Sequence, residues 1–335
     1  MSTQEKMKAI VNHEYGSPEV LKLEEVEKPT PKDNEVLIEV YAASLNTGEW
    51  YFLTGKPFLV RLDPGGLRKP NINILGGDVA GRVEAVGVNA KQFQIGDEVY
   101  GDISNSGMGA FAEYVCAPEN VIAHKPGNLS FEEAAAVPSA AVTALQGMRD
   151  SGEIQSGQKV LIVGASGGVG TYAVQIAKSY GTEVTAVCST GKIDLVRSIG
   201  ADHVIDYTKE DFTLNGQLYD LILGVNGYHP LSEYKRALSP KGTYVCIGGT
   251  MRQLFGSILL GPLKSEKGGK QLRNMGSVKI NQKDLVVMKE LLEAGKVIPV
   301  IDRRYPLSET PEAFRYLGAG HAKGKVVITV ELNGK

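Results

Sequence analysis

KVLIVGASGGVG, residues 159–170, is the stretch that decides the fold. Its first half, KVLIV, is an unbroken apolar, β-branched run with the length of a strand buried on both faces. Its second half is a glycine loop, Gly164-Ala165-Ser166-Gly167-Gly168-Val169-Gly170. The loop runs into VGTYAVQIAKSYG, whose apolar residues recur at helical spacing up to a terminating Gly181. Glycines at a strand–helix turn allow a sharp bend, close approach of a pyrophosphate and tight packing of helix on strand. The helix N-terminus then offers free N–H groups to the phosphates. Forty glycines in 335 residues make a three-glycine spacing common by chance, so the context has to decide. A strand precedes the loop, a helix follows, and a second strand, EVTAVC, comes where the dinucleotide-binding fingerprint requires it. The loop therefore predicts cofactor contacts at Gly164, Ser166, Gly167, Gly168, Val169 and Gly170.

Strand–helix alternation continues downstream. KIDLVRSIGA reads as a helix, and HVIDY, YDLILG and GTYVCIG as strands. SVKIN and the helix QKDLVVMKELLEAG complete the set. The pattern predicts a doubly wound parallel sheet with right-handed crossovers. Asn226 after the fourth strand, and Gly248 and Gly249 after the fifth, fall at carboxyl ends of strands, where such sheets bind ligands. Upstream, Ser130 and Glu133 form a capping box for the helix FEEAAAVPSAAVTALQGM, with a break or kink at Pro138. Before residue 130 the chain reads as short strands with glycine corners, a compact β-rich domain or partly closed barrel. LKLEEVEKPTPKDNEVLIEVYAASLN alternates apolar and polar residues around a turn. The tail VIPVIDRRYPLSETPEAFRYL and GKVVITVEL returns to strand character and rejoins that domain. The reading is thus an α/β protein with a β-rich domain over residues 1–128 and 297–335 and a dinucleotide-binding domain over residues 129–296. Residues 251–275, MRQLFGSILLGPLKSEKGGKQLRNM, mix an apolar segment with a basic, glycine-rich one. They read either as a mobile flap over a substrate cleft or as a dimer contact through Phe255, Ile258 and Leu259.

Composition excludes other classes. Hydrophobic residues at 42% and charged residues at 22% are those of a globular chain rather than a disordered one. A net charge of −2 gives no electrostatic reason to expect nucleic acid or an anionic membrane as partner. The apolar runs are far shorter than the roughly 20 residues of a membrane span, and MSTQEKMKAI lacks the apolar core of a secretory signal. The three cysteines, Cys116, Cys188 and Cys246, form no CxxC pair, which fits a reducing cytoplasm.

The end of the second strand bears on which dinucleotide is bound. A site for NAD puts Asp or Glu there to hold the ribose 2′-hydroxyl. Here the strand runs into Ser189-Thr190-Gly191-Lys192, with no carboxylate until Asp194. Hydroxyls and a lysine suit a 2′-phosphate, and Tyr207 after the third strand is placed to cover it. The expected cofactor is NADP(H). The loop also matches the GxxxGxG spacing of short-chain dehydrogenases. No tyrosine of the sequence has a lysine four positions later, which rejects that family.

The chain as a whole resembles the medium-chain dehydrogenase/reductase superfamily, in its zinc-free quinone oxidoreductase branch and the chloroplast-envelope type within it. The resemblance rests on Ser44-Leu45-Asn46 leading into Glu49-Trp50-Tyr51, on Gly76-Gly77-Asp78-Val79-Ala80-Gly81 and on Gly96-Asp97-Glu98-Val99. Pro138 with Thr143-Ala144, the glycine loop, Gly200-Ala201-Asp202 and Gly324-Lys325-Val326-Val327 carry the rest. It implies a GroES-like β domain joined to a Rossmann domain. Zinc-dependent relatives carry a cysteine where residues 44–46 stand, and Gly-His-Glu where Gly76-Gly77-Asp78 stand. Three scattered cysteines and five histidines without ligand spacing predict no metal. Without a Lewis acid, the expected reaction is hydride transfer from NADPH to a quinone or to the C=C bond of an α,β-unsaturated carbonyl. By resemblance, Asn46 lies by the nicotinamide, its amide binding the carboxamide or the substrate oxygen; otherwise it is a turn residue capping a backbone group. Tyr51 faces the substrate as hydrogen-bond or proton donor, or else is a core aromatic beside Trp50 and Phe52. Thr143 contacts the nicotinamide ribose. Lys325 reaches the cofactor, or is an exposed charge before an edge strand. Family analogy implies a homodimer. The competing readings are an NADPH-binding sensor or structural protein with little turnover, and a zinc-type alcohol dehydrogenase.

Overall fold

The structure, a computed structural model, describes residues 5–62, 66–249 and 251–331. The chain divides into two compact units. One comprises Met1–Ser139, Ile280–Glu293 and Pro299–Lys335, and the other Ala140–Lys279 and Ala294–Ile298.

The first unit begins with β1 (Lys6–Asn12), β2 (Leu21–Glu27), β3 (Glu35–Leu45), α1 (Thr47–Thr54), β4 (Asp78–Val86), β5 (Glu98–Asp102), β6 (Tyr114–Pro118), β7 (Ile122–His124) and α2 (Phe131–Ala135). Helix α3 (Pro138–Gln146) follows, and the division between the units falls inside it. Pro138 starts this helix rather than kinking a longer one. Its fixed φ and missing N–H suit a first-turn position. The predicted capping box opens α2: Ser130 N–H donates to Glu133 Oε2 at 2.8 Å, and Glu133 N–H to Ser130 Oγ at 3.2 Å.

The second unit carries β8 (Lys159–Val163), α4 (Gly168–Ser179), β9 (Glu183–Cys188), α5 (Ile193–Ser198), β10 (His203–Asp206), β11 (Tyr219–Gly224), α6 (Leu231–Ala237), β12 (Leu238–Cys246), α7 (Met251–Lys264) and β13 (Gln271–Asn274). Its six strands are all parallel, in the order β10-β9-β8-β11-β12-β13. Numbered within the unit this is 3-2-1-4-5-6, the doubly wound Rossmann order, with its switch point between β8 and β11. The chain then returns to the first unit through α8 (Gln282–Glu293), β14 (Ile301–Pro306), α9 (Thr310–Gly318) and β15 (Lys325–Thr329).

In the first unit, β1 and β2 pair antiparallel, and a seven-stranded sheet runs β14-β15-β3-β4-β5-β7 with β6 also on β3. No pairing joins β7 to β14 among the described residues. The hub is β3, which pairs with β15, β4 and β6. Its burial is nearly continuous instead of alternating as the sequence suggested. The reason is that α2 packs on β3 and β4, while Ile38, Val40 and Leu45 join a core with Phe111, Phe314 and Ile328.

Two expectations are corrected. The sixth strand of the parallel sheet is QLRN, not SVKIN, and QKDLVVMKELLE (α8) belongs to the first unit. There Tyr100 Oη donates to Leu285 O at 2.6 Å and Asn128 Nδ2 to Leu292 O at 3.0 Å. Residues 251–275 hold the helix α7 and the strand β13, joined by a short turn. Helix α7 buries Gln253, Ser257 and Gly261 at four-residue spacing, and exposes Phe255, Ile258, Leu259 and Leu263. The buried stripe is small or polar because β13 lies close. A Cβ on Gly261 would stand 2.8 Å from Leu272 O, and Asn274 Nδ2 donates to Ser257 Oγ at 2.6 Å. Hydrophobic patterning cannot find a helix whose apolar side faces outward.

The β3–β4 contact is close enough to test. A Cβ on Gly81 would stand 2.1 Å from Glu39 O. Gly81→Ala is expected to destabilise the protein by about 1–3 kcal/mol, read as a lower denaturation midpoint by circular dichroism; an unchanged midpoint refutes the close packing.

Candidate functional site

The glycine loop joins β8 to α4 at the switch point. Gly164 has φ of +88°, and a Cβ there would stand 2.9 Å from Asn226 Cβ, so loops after β8 and β11 touch at this residue. Val225 and Asn226 both donate backbone N–H to Val163 O, at 3.0 and 3.1 Å. Gly170 lies against the loop itself, where a Cβ would meet Gly164 O at 2.1 Å. At Gly167, which caps α4, the nearest atom to a Cβ would be 3.8 Å away. The first intrahelical bond runs from Thr171 N to Gly167 O, so the amides of Gly168, Val169 and Gly170 precede it and are open to an anion. Two glycines that tolerate no side chain, and a third that faces space before three such amides, fit a pyrophosphate. Ser166 is buried in the loop, and Thr143 is half-buried on α3. Gly248 and Gly249 cross the neighbouring strand ends. A Cβ on Gly248 would meet Val225 O at 2.4 Å, and Gly227 N–H donates to Gly248 O at 3.3 Å.

The region after β9 holds Ser189, Thr190 and Lys192 in a short helical turn. Tyr207 N–H donates to Cys188 O at 3.1 Å, which brings the half-exposed Tyr207 ring to this strand end, 5.8 Å from the ring of Tyr228. The structure also brings what the linear reading missed. Asp206, at the end of β10, pairs in register with Cys188 and accepts hydrogen bonds from the hydroxyls of Thr190 and Thr208 and from Thr208 N–H. The Thr190 hydroxyl, foremost among these, holds its carboxyl down to about 2. The strand end free of carboxylate in sequence is thus beside one in space. Lys209 Nζ stands 3.5 Å from the same carboxylate. Only pairing between parallel strands, which sequence spacing does not encode, could reveal it.

The first unit concentrates a different set of groups. Asp78 opens β4 opposite Ser44 on β3 and opposite Asp102 on β5. Its Oδ2 accepts from Ser44 Oγ at 2.7 Å, Asn46 Nδ2 at 2.9 Å and Lys325 Nζ at 3.1 Å, and its Oδ1 from Ser139 N–H at 2.8 Å. Asn46 precedes α1 in extended conformation; Glu49, in the helix's first turn, accepts from Asn46 N–H at 2.8 Å and Gly77 N–H at 3.0 Å. Lys325 is 2% exposed and Asp78 0%, so Lys325 is neither a surface charge nor an exposed arm. Burial, followed by the neighbouring Asp78, pushes the Glu49 carboxyl up to about 7 and the Asp102 carboxyl up to about 6. Asp102 Oδ2 is buried without a hydrogen-bond partner. Glu49 and Asp102 carried no sequence signal of this role: in the structure Glu49 completes a capping box with Asn46, and Asp102 ends β5. Tyr51 sits half-buried on α1, its hydroxyl without a hydrogen-bond partner among the described residues, whereas Trp50 and Phe52 pack on the core. Among the described residues no group of three His, Cys, Asp or Glu is arranged to hold a metal ion, and no helix is long and apolar enough to cross a membrane.

Comparison with known proteins agrees with this architecture. An alcohol dehydrogenase GroES-like domain matches residues 32–127, and a zinc-binding dehydrogenase domain matches residues 199–328. The chain is 38% identical to a 2-methylene-furan-3-one reductase of Solanum lycopersicum, over 98% of this chain and 80% of that one. It is 35% identical to a chloroplastic NADPH-dependent alkenal/one oxidoreductase of Arabidopsis thaliana, over 98% and 80%. The structure of the quinone oxidoreductase from Coxiella burnetii superposes with a TM-score of 0.85 at 31% identity, covering 98% of this chain and 100% of that one. A Rossmann sheet with a glycine cradle at its switch point, a GroES-like unit and full-length likeness to reductases have one common source: the chain is an oxidoreductase of the medium-chain dehydrogenase/reductase superfamily, in its zinc-free quinone oxidoreductase branch.

Proposed function

We propose that this protein is an NADPH-dependent reductase of quinones or of the C=C bond of α,β-unsaturated carbonyls. The observation that carries the reading is the glycine cradle, where Gly164 and Gly170 exclude any side chain and Gly167 leaves room before the free amides of α4. Gly168, Val169, Gly248, Gly249 and Asn226 complete the dinucleotide site, with Ser166 and Thr143. The bound dinucleotide supplies a hydride. When hydride adds to carbon, the π electrons move to the carbonyl oxygen, and that oxygen needs a hydrogen-bond donor and finally a proton. Tyr51 has a hydroxyl with no hydrogen-bond partner among the described residues and serves as that donor. Asn46 contributes the amide N–H that Asp78 does not take. For NADP over NAD, Ser189 and Lys192 supply a hydroxyl and a cation for a 2′-phosphate, with Tyr207 covering it and the Thr190 hydroxyl kept on Asp206. Asp206 is already engaged by two threonine hydroxyls, and a similar protein is named NADPH-dependent. All three cysteines are free, which suits a reducing compartment.

A homodimer is proposed from α7 and β13. The strand β13 ends the parallel sheet, with one side unpaired among the described residues, and α7 beside it exposes Phe255, Ile258, Leu259 and Leu263. An open strand edge next to an apolar stripe suits a second copy of the same chain.

Steady-state NADPH oxidation with a panel of enals, enones and quinones is expected to show turnover; tight NADPH binding without oxidation across the panel would replace this reading with a sensor or structural role. Lys192→Ala is expected to weaken NADPH by about tenfold or more and to leave NADH within about twofold, as loss of one charged phosphate contact implies. Equal weakening removes Lys192 from the phosphate site. Ile258→Glu with Leu259→Glu is expected to convert a dimer to monomer in light scattering; a monomeric parent, or an unchanged dimer mass in the variant, sinks the α7 interface.

A further inference from the structure

The buried cluster of the first unit defines one orientation for the Asn46 amide. Lys325 Nζ donates to Asn46 Oδ1 at 2.5 Å, and Asn46 Nδ2 donates to Asp78 Oδ2 at 2.9 Å. An ammonium can only donate and a carboxylate can only accept. Turning the amide over would set its NH2 against the ammonium and its carbonyl against the carboxylate, losing both bonds and creating two repulsions. Among the described residues the second N–H of Asn46 meets only Glu49 Oε1, at 3.5 Å, beyond an ordinary hydrogen bond. Asn46 is the half-exposed member of this trio, while Asp78 and Lys325 are buried.

The pair is also forced electrostatically. A lone charge in this interior would be costly, so Asp78 and Lys325 each require the other. Ser44 Oγ and Ser139 N–H take the remaining acceptor capacity of Asp78. The backbone delivers Lys325 to this point. Val326 pairs with Leu45 and Val327 with Ser44, so Lys325 starts β15 beside the end of β3. Gly324 before it has φ of +99°, and a Cβ there would meet Val300 O at 2.3 Å.

We propose that Lys325 is a positioning residue for the reduction: its buried ammonium neutralises Asp78 and locks the Asn46 amide, so that the remaining Asn46 N–H is held for the acceptor oxygen. The proposal rests on the reductase reading. It assigns Lys325 no contact with substrate or dinucleotide; its effect passes through Asn46.

A double-mutant cycle tests this route. Lys325→Met and Asn46→Ala are each expected to lower kcat by about 100-fold, the scale for losing one donor to a developing oxyanion, with KM for NADPH within about twofold. The double variant is expected to match Asn46→Ala alone within about twofold. Losses that multiply would show that Lys325 acts independently of Asn46 and would overturn the proposal. Because Lys325→Met strands a buried carboxylate, Lys325→Met with Asp78→Asn serves as the neutral companion. It is expected to recover the thermal midpoint while kcat stays low; recovery of both would mean that Lys325 is merely structural. A readout without turnover separates this proposal from the reductase reading. The Asn46 side-chain amide protons should show shifts displaced from those of a solvated amide and slow exchange with water in a 1H–15N spectrum of the parent, and near-solvated shifts with faster water exchange in the neutral companion. Signals unchanged between the two proteins overturn the locking, whether or not any acceptor is reduced.

Discussion

Asp78 and Lys325 stand 247 residues apart in sequence and 3.1 Å apart in the fold, out of contact with water. Their ion pair links the start of β4 to the start of β15. Through Ser44, Asn46 and Ser139, Asp78 also reaches the end of β3, the start of α1 and the start of α3. A buried pair of this kind adds little stability compared with apolar residues of the same volume, but removing one partner costs about 3–5 kcal/mol. Its consequence is therefore specificity of arrangement: β15 must close on β3 in one register, or two charges are left without a counterion.

The same interior makes the neighbouring acids unequal. Asp78 keeps the ammonium and three further donors, so at Glu49 and Asp102 burial and a nearby negative charge outweigh the backbone N–H groups they accept from, and their carboxyls are pushed to about 7 and about 6. Raised carboxyls hold protons in the folded state that they release on unfolding. Their contribution to stability is full below the ordinary carboxylate range, about pH 4, and is lost as pH rises from there through about 6 to 7. The first unit thus has a titrating interior close to neutral pH, set by which carboxylate the lysine reaches.

The second unit depends on a constraint of space instead of charge. Gly170 beneath Gly164 O and Gly164 against Asn226 let strand, loop and helix come closer than side chains permit. That closeness exposes the first amides of α4 at the point where strand order reverses. Parallel strands also place Asp206 beside Thr190, changing the electrostatics of a loop whose own sequence holds no acid.

Most of the parallel sheet was legible in the sequence because local signals agree there. Apolar strands, glycine turns and helical periodicity act over a few residues, and the run from Lys159 to Cys188 contains all three. The capping box at Ser130 was legible for the same reason. The helix α7 was not, because its buried stripe is Gln253, Ser257 and Gly261 and its apolar residues face outward. The sixth strand was misplaced because QLRN is made a strand by pairing with β12, not by its composition. Sequence alone determined the class of fold, the glycine cradle and the residues that resemble a reductase family. Only tertiary structure decided that Lys325 is buried on Asn46 and Asp78, that Asp102 joins them, and that Asp206 stands behind Thr190. Those relations are charges and hydrogen bonds between segments far apart in the chain, and no local pattern of residues encodes a contact that forms only when distant strands come into register.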